Sequence, residues 1–145
     1  MRAVTIAIDF TFTLPDRPGE LAALAGRLRA ADVNLLALRA TPDTSVDGDR
    51  SVIDCVAESA EQFRAFAESA GLAVAEEPVV YVEGVDEPGA LRHILEQVAL
   101  AGVNVSGIEA VSFAGRYGAV IRVDPADWPT ALSVIRGTTP VEPGR

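Results

Sequence analysis

Asp16, Pro18, Gly19 and Leu21 in "DRPGEL" recur as Asp86, Pro88, Gly89 and Leu91 in "DEPGAL", at the same spacing. The chemistry such residues support is reversible binding rather than bond making. Each motif separates an alternating apolar stretch from a helical one, so it reads as a strand-to-helix turn whose proline presets φ for the first helical turn. A glycine there leaves no side chain beside the free N–H groups of the helix start. The helix dipole at that place attracts a small carboxylate by about 0.3–1 kcal/mol when exposed and up to about 2 kcal/mol when partly buried. Seen once, such a motif needs no function beyond a good turn and a core leucine. Here Asn34 and Asn104 also follow the two glycines at equal spacing. An Asn at the start of a strand caps a turn, or offers donor and acceptor to a ligand's ammonium and carboxylate. Residue chemistry leaves both uses open.

The elements that must position these motifs are themselves written twice. Residues 16–40 and 86–110 match without gaps in eight of 25 positions, and 51–57 correspond to 117–123 after a shorter loop. The loop is long and polar in the first copy ("PDTSVDGDR") and tight in the second ("FAGR"), as two copies of one fold should differ. Val4, Ile6, Ile8, Phe10, Phe12 and Leu14 alternate with Thr5, Ala7, Asp9, Thr11 and Thr13, which predicts a strand with one buried and one open face. Leu21, Leu24, Ala25 and Leu28 then predict an amphipathic helix. "VNLLALRA" and "RSVIDCVA" read as strands, "EQFRAFAESAG" as a helix stopped by Gly71, and "LAVAE" as a short closing strand. The second copy reads as a strand over 79–83, a helix with Leu91, Ile94, Leu95 and Val98, and the strands "VNVSGIEAVSF" and "YGAVIRVD". A helix from Pro125 and a weak edge strand in "TTPVE" follow. The pattern predicts an α+β chain of two ferredoxin-like βαββαβ units, antiparallel sheets with helices on one face, divided as 1–77 and 78–145. The Glu77-Pro78 joint is too short for a flexible linker, so the halves are expected to pack together.

Composition excludes several classes. The net charge of −9, with no Lys among 145 residues, argues against a phosphate backbone or an anionic membrane as partner. No apolar run approaches the roughly 20 residues of a membrane span, and the alternating start reads as a strand and not as a signal peptide, so a cytoplasmic protein is expected. Cys55 is the one cysteine and stands in an apolar stretch, which predicts a buried structural thiol and excludes an intrachain disulfide or a Cys-rich metal site. His93, the one histidine, falls on the polar side of its helix and reads as a solvated side chain. No nucleophile–base set, metal-ligand cluster or phosphate loop is present, so no catalytic residue, metal or cofactor is assigned. An RNA-binding sheet would need aromatics where the first strand offers Thr, Ala and Asp. Trp128 and Tyr117 read as packing residues.

The βαββαβ repeat with "DRPGELAALAGRLRAADVNLLAL" and "DEPGALRHILEQVALAGVNVSGI" resembles the ACT domain, in tandem, over essentially the whole chain. That resemblance implies a non-catalytic sensor that binds a free amino acid and regulates amino-acid metabolism. It places ligand contacts on Asp16, Arg17, Pro18, Gly19, Glu20, Leu21 and Asn34, and on Asp86, Glu87, Pro88, Gly89, Ala90, Leu91 and Asn104. Where serine-regulated 3-phosphoglycerate dehydrogenases carry a His ahead of the turn, this chain has Leu14 and Gly84, a departure from serine recognition. Arg17 against Glu87 and Glu20 against Ala90 make the two turns electrostatically unequal, which predicts one good site and one degenerate site. A homodimer is expected, with an enzyme or regulator of amino-acid metabolism as a further partner. Edge-to-edge pairing of the two copies' second strands is incompatible with so short a joint. The copies must exchange strands, join by other edges, or pair across two chains. The competing readings are a protein-interaction module without a ligand and a small ferredoxin-like enzyme.

Overall fold

A computed structural model describes residues 3–45 and 47–137 of the chain. The described elements run β1 (Ala3–Pro15), α1 (Glu20–Ala30), β2 (Leu35–Pro42), β3 (Arg50–Ala57), α2 (Ala60–Ser69) and β4 (Ala75–Val85). They continue through α3 (Arg92–Leu100), β5 (Val105–Phe113), β6 (Arg116–Val123) and α4 (Trp128–Gly137). A single 3-10 turn, Pro125–Asp127, leads into α4, where the sequence predicts a helix from Pro125 directly. The stretch "TTPVE" lies outside the described residues. The fold is α+β with antiparallel strands and four helices, and none of the described helices is long and apolar enough to cross a membrane.

Two compact units result, one of residues 7–77 and one of residues 78–145 together with 1–6. In the first, the strand order is β2-β3-β1. Phe10 sits opposite Cys55 and Phe12 opposite Ile53, which sets Phe10, Phe12, Leu14, Ile53 and Cys55 on one face under α1 and α2. Phe63 of α2 is fully buried among them. Its ring stacks on Phe10 with centroids 4.3 Å apart and meets Phe66 edge-on at 5.6 Å. Burial, aided by the charges of Asp9 and Asp54, pushes the Cys55 thiol up to about 12, so it stays a protonated packing group. The predicted stripe of α1 narrows to Leu24 and Leu28, because Leu21 is 45% exposed in the first turn.

The face of β1 away from the helices is open at Thr5 and Thr13, as predicted, but closed in its middle. Asp9 and Asp54 are both buried there. Asp54 accepts hydrogen bonds from Thr11 Oγ1 at 2.7 Å and from Arg39 Nη2 at 2.8 Å, so the carboxylate is satisfied within its own unit.

The second unit repeats the plan as β4-β6-β5, with Val80, Val82, Ala119 and Ile121 beneath Ile94 and Val98 of α3 and Ala131 and Ile135 of α4. Trp128 packs on this core. Two expectations change here. Val4 packs against this second core and not the first, so the start of β1 is exchanged. The separate strands predicted at "LAVAE" and 79–83 form a single strand, β4, that begins at Ala75 and runs through the Glu77-Pro78 joint.

Three helices end alike. Asp32, Gly71 and Gly102 take left-handed φ of 56°, 66° and 75°. The next residues, Val33, Leu72 and Val103, donate to the carbonyls of Leu28, Ala67 and Val98 at 2.9, 2.9 and 3.2 Å. These are Schellman closures, which turn the chain sharply into the next strand or connection.

Candidate ligand cleft at the second repeated turn

Both Asp-x-Pro-Gly turns are held by the loop of their own unit. Asp16 N–H donates to the carbonyl of Asp49 at 2.7 Å, and Asp86 N–H donates to the carbonyl of Gly115 at 2.9 Å. The loops that differ most in length thus dock the two turns identically. The tight second loop is a two-residue hairpin with Ala114 and Gly115 at φ of 52° and 75°, the geometry of a type I′ turn.

The repeated glycines have a reason that the sequence argument did not reach. Gly19 and Gly89 adopt φ of 91° and 76°, a region L-residues enter at a cost of about 1–2 kcal/mol. A Cβ at Gly19 would meet no atom within 4 Å, so the demand there is conformational and not steric. Gly19→Ala should therefore lower stability by about 1–2 kcal/mol in urea denaturation, and Gly19→Asn should recover part of it because Asn tolerates the left-handed region. Equal losses for Ala and Asn would refute this account. The prolines also sit differently from expectation. Gly19 is the N-cap of α1 and Leu91 that of α3, so Pro18 and Pro88 precede the helices and do not open them. No side chain caps either helix, and the first N–H of each is taken by the preceding turn, Glu20 N–H by the Arg17 carbonyl at 3.3 Å and Arg92 N–H by the Gly89 carbonyl at 2.9 Å.

A cleft of about 340 Å³ opens beside the second turn, lined by Asp86, Glu87, Gly89, Ala90, Leu91 and Arg92 on one side and Ala110, Val111, Ser112 and Tyr117 on the other. Five of the residues singled out in this copy thus come together, with Pro88 next to them in the chain. The carboxylates of Asp86 and Glu87 suit an ammonium group. Arg92, whose Nε donates to Glu96 at 2.8 Å, supplies the cation for a carboxylate at the start of α3. Tyr117, itself largely buried, is part of the lining. It sits opposite Gly84, where an added Cβ would come within 3.1 Å of Tyr117 Cε1. Sequence reasoning missed Arg92, Ser112 and the role of Tyr117. Arg92 was legible as a charged residue at a helix start, but the approach of the β5–β6 hairpin was not.

In the first turn Asp16, Arg17, Pro18 and Gly19 are exposed, and Arg17 Nη2 contacts Glu20 Oε1 at 3.3 Å. Half-exposed Leu21 follows. Asn34 and Asn104 lie at the far ends of α1 and α3, helices of 11 and nine residues, hence roughly 14–16 Å from the turns of their own units. Asn34 Nδ2 donates to Glu58 Oε2 at 2.9 Å, while the Asn34 backbone carbonyl accepts Glu58 N–H at 3.0 Å. Asn104 is exposed. Within a unit, then, the turn and its Asn do not share one site.

Among the described residues no cluster of His, Cys, Asp and Glu could hold a metal. His93 is exposed.

The fold is shared with ACT-containing regulatory subunits of aspartate kinase. No family model and no curated protein matches the sequence. Among solved structures, the chain is similar to protein BT0572 from Bacteroides thetaiotaomicron, with a TM-score of 0.76, 19% identity, and 92% of this chain and 89% of that one covered. It is also similar to the regulatory subunit of aspartate kinase from Thermus thermophilus, with a TM-score of 0.61, 17% identity, and 96% and 97% covered. The corresponding subunit from Thermus flavus gives a TM-score of 0.56, 19% identity, and 94% and 95% covered.

Proposed function

We propose that the chain is a non-catalytic regulatory protein of two ferredoxin-like ACT units, divided at residues 77 and 78, that binds a free amino acid in the cleft at Asp86–Arg92. The observation that carries this reading is the cleft itself. It sets two carboxylates, one arginine and an uncapped helix start around a space of metabolite size. The fold likeness to regulatory subunits of aspartate kinase supports a role outside catalysis and an enzyme of amino-acid metabolism as the partner. The unequal turns support a single strong site. Both cations are paired, Arg17 with Glu20 at 3.3 Å and Arg92 with Glu96 at 2.8 Å, and the inequality rests on the cleft that Asp86, Glu87 and Arg92 line beside the second turn. The output passes through that partner or through the oligomeric state of a homodimer, and the acidic, span-free chain suits the cytoplasm.

A thermal-shift screen against the twenty amino acids, at fixed pH and salt, tests the reading. One amino acid or a narrow class should raise the midpoint, since a ligand at 100 times its Kd stabilises by about 2.7 kcal/mol. Ala90→Trp, which fills the cleft, should abolish the shift, and titration calorimetry should give one strong site per chain. A screen with no shift, or a shift that survives Ala90→Trp, would refute the assignment.

A further inference from the structure

The charges around the second cleft do not balance. Asp86 and Glu87 both line it, and neither has an ion-pair partner among the described residues. Arg92 is the one cation in the lining, and its Nε is held by Glu96 at 2.8 Å. A neutral amino acid brings one ammonium and one carboxylate. It answers one of the two carboxylates and the guanidinium, and covers the other carboxylate without pairing it. Desolvating an unpaired charge opposes binding.

The internal repeat separates the roles of the two acids. Asp86 has Asp16 as its counterpart, whereas Glu87 has Arg17, a reversal of charge in an otherwise similar turn. In the first copy Arg17 is neutralised three residues on by Glu20, at 3.3 Å. Ala90 stands at the corresponding place in the second copy, so the counterion of Glu87 must come from outside its own turn. Every amino acid carries the same α-ammonium, and amino acids differ in their side chains. The acid kept in both copies therefore suits the constant part of a ligand, and the reversed position suits the variable part. We infer that Glu87 is the specificity-determining residue of the cleft and selects an amino acid whose side chain ends in a second positive charge, as those of lysine and ornithine do. Asp86 receives the α-ammonium, Arg92 the α-carboxylate and Glu87 the terminal cation. Ala90, Leu91 and Val111 in the lining give the methylene stem of such a side chain an apolar surface to lie along.

The assignment rests on the amino-acid reading of this cleft and adds the charge of the side chain it takes. Titration calorimetry of the full chain with lysine, norleucine and glutamate tests it, because norleucine ends in a methyl group where lysine carries its ammonium. Lysine should bind about tenfold more tightly than norleucine, the scale of one charge-assisted hydrogen bond, and glutamate should bind weakest. Added salt should narrow the gap between lysine and norleucine by screening. Glu87→Gln keeps the shape and removes the charge, and should bring lysine to within about threefold of norleucine. Glu87→Arg should reverse the order, so that glutamate binds more tightly than lysine. A merely structural role for Glu87 would weaken all three ligands alike and leave their ratios unchanged. Norleucine binding as tightly as lysine, or a lysine preference that survives Glu87→Gln, would overturn the specificity while leaving the amino-acid reading intact. A chain that binds none of the twenty amino acids would overturn both.

Discussion

Phe63→Ala should lower the free energy of unfolding by about 3–5 kcal/mol, the cost of deleting a buried aromatic and leaving its cavity. Phe63 is fully buried, and three rings meet at it: Phe10 at 4.3 Å, Phe66 at 5.6 Å and Phe12 at 6.2 Å. α2 holds it in place at both ends. Ser59 Oγ accepts from Gln62 N–H at the start, and Leu72 N–H closes the end on the Ala67 carbonyl. The cavity therefore has rigid walls and collapses poorly. Against a total stability of about 5–15 kcal/mol, such a loss threatens folding at growth temperature. Urea denaturation should show a lower midpoint at an unchanged m-value. A loss below about 1 kcal/mol would mean that the ring cluster contributes far less than its burial implies.

Ile94→Ala should cost about 2–5 kcal/mol, and Ile94→Val only about 0.5–1.5 kcal/mol. Ile94 is fully buried in the second core, one turn into α3, the helix whose first residues line the cleft. The alanine variant loosens the seat of α3 and with it the positions of Leu91 and Arg92. Its effect on amino-acid affinity should exceed that of the valine variant in the same calorimetric titration. Affinity that follows neither stability nor helix seating would separate the cleft from α3.

Most elements were legible because their periodicities are strong. The alternation of Phe10, Phe12 and Leu14 and the spacing of Ile94, Leu95 and Val98 each admit one secondary structure. Gly71 was legible as a helix stop because few other residues enter its left-handed conformation readily. The closure at Asp32 was not, since a non-glycine residue fills the place that Gly102 holds in the second copy. The fate of residues 72–79 was hidden too. Nothing local distinguishes two strands meeting at a proline from one strand running through it, and β4 is the latter. Leu21 and Val4 show the same limit, because periodicity marks a side chain as apolar without naming the core that receives it.

The sequence by itself determined the internal repeat, the four helices, the antiparallel strands and the strand-to-helix turns, because these follow from residue type and local spacing. Only the tertiary structure decided what completes the cleft beside the second turn. Tyr117, Ser112 and Arg92 surround the second turn because the β5–β6 hairpin folds back beside α3, a long-range approach fixed by packing over Gly84 and by the bond from Asp86 N–H to the Gly115 carbonyl. The tertiary structure likewise placed the Asn residues a helix length from their turns. Spacing along a chain becomes distance in space only after the helix between them has its axis.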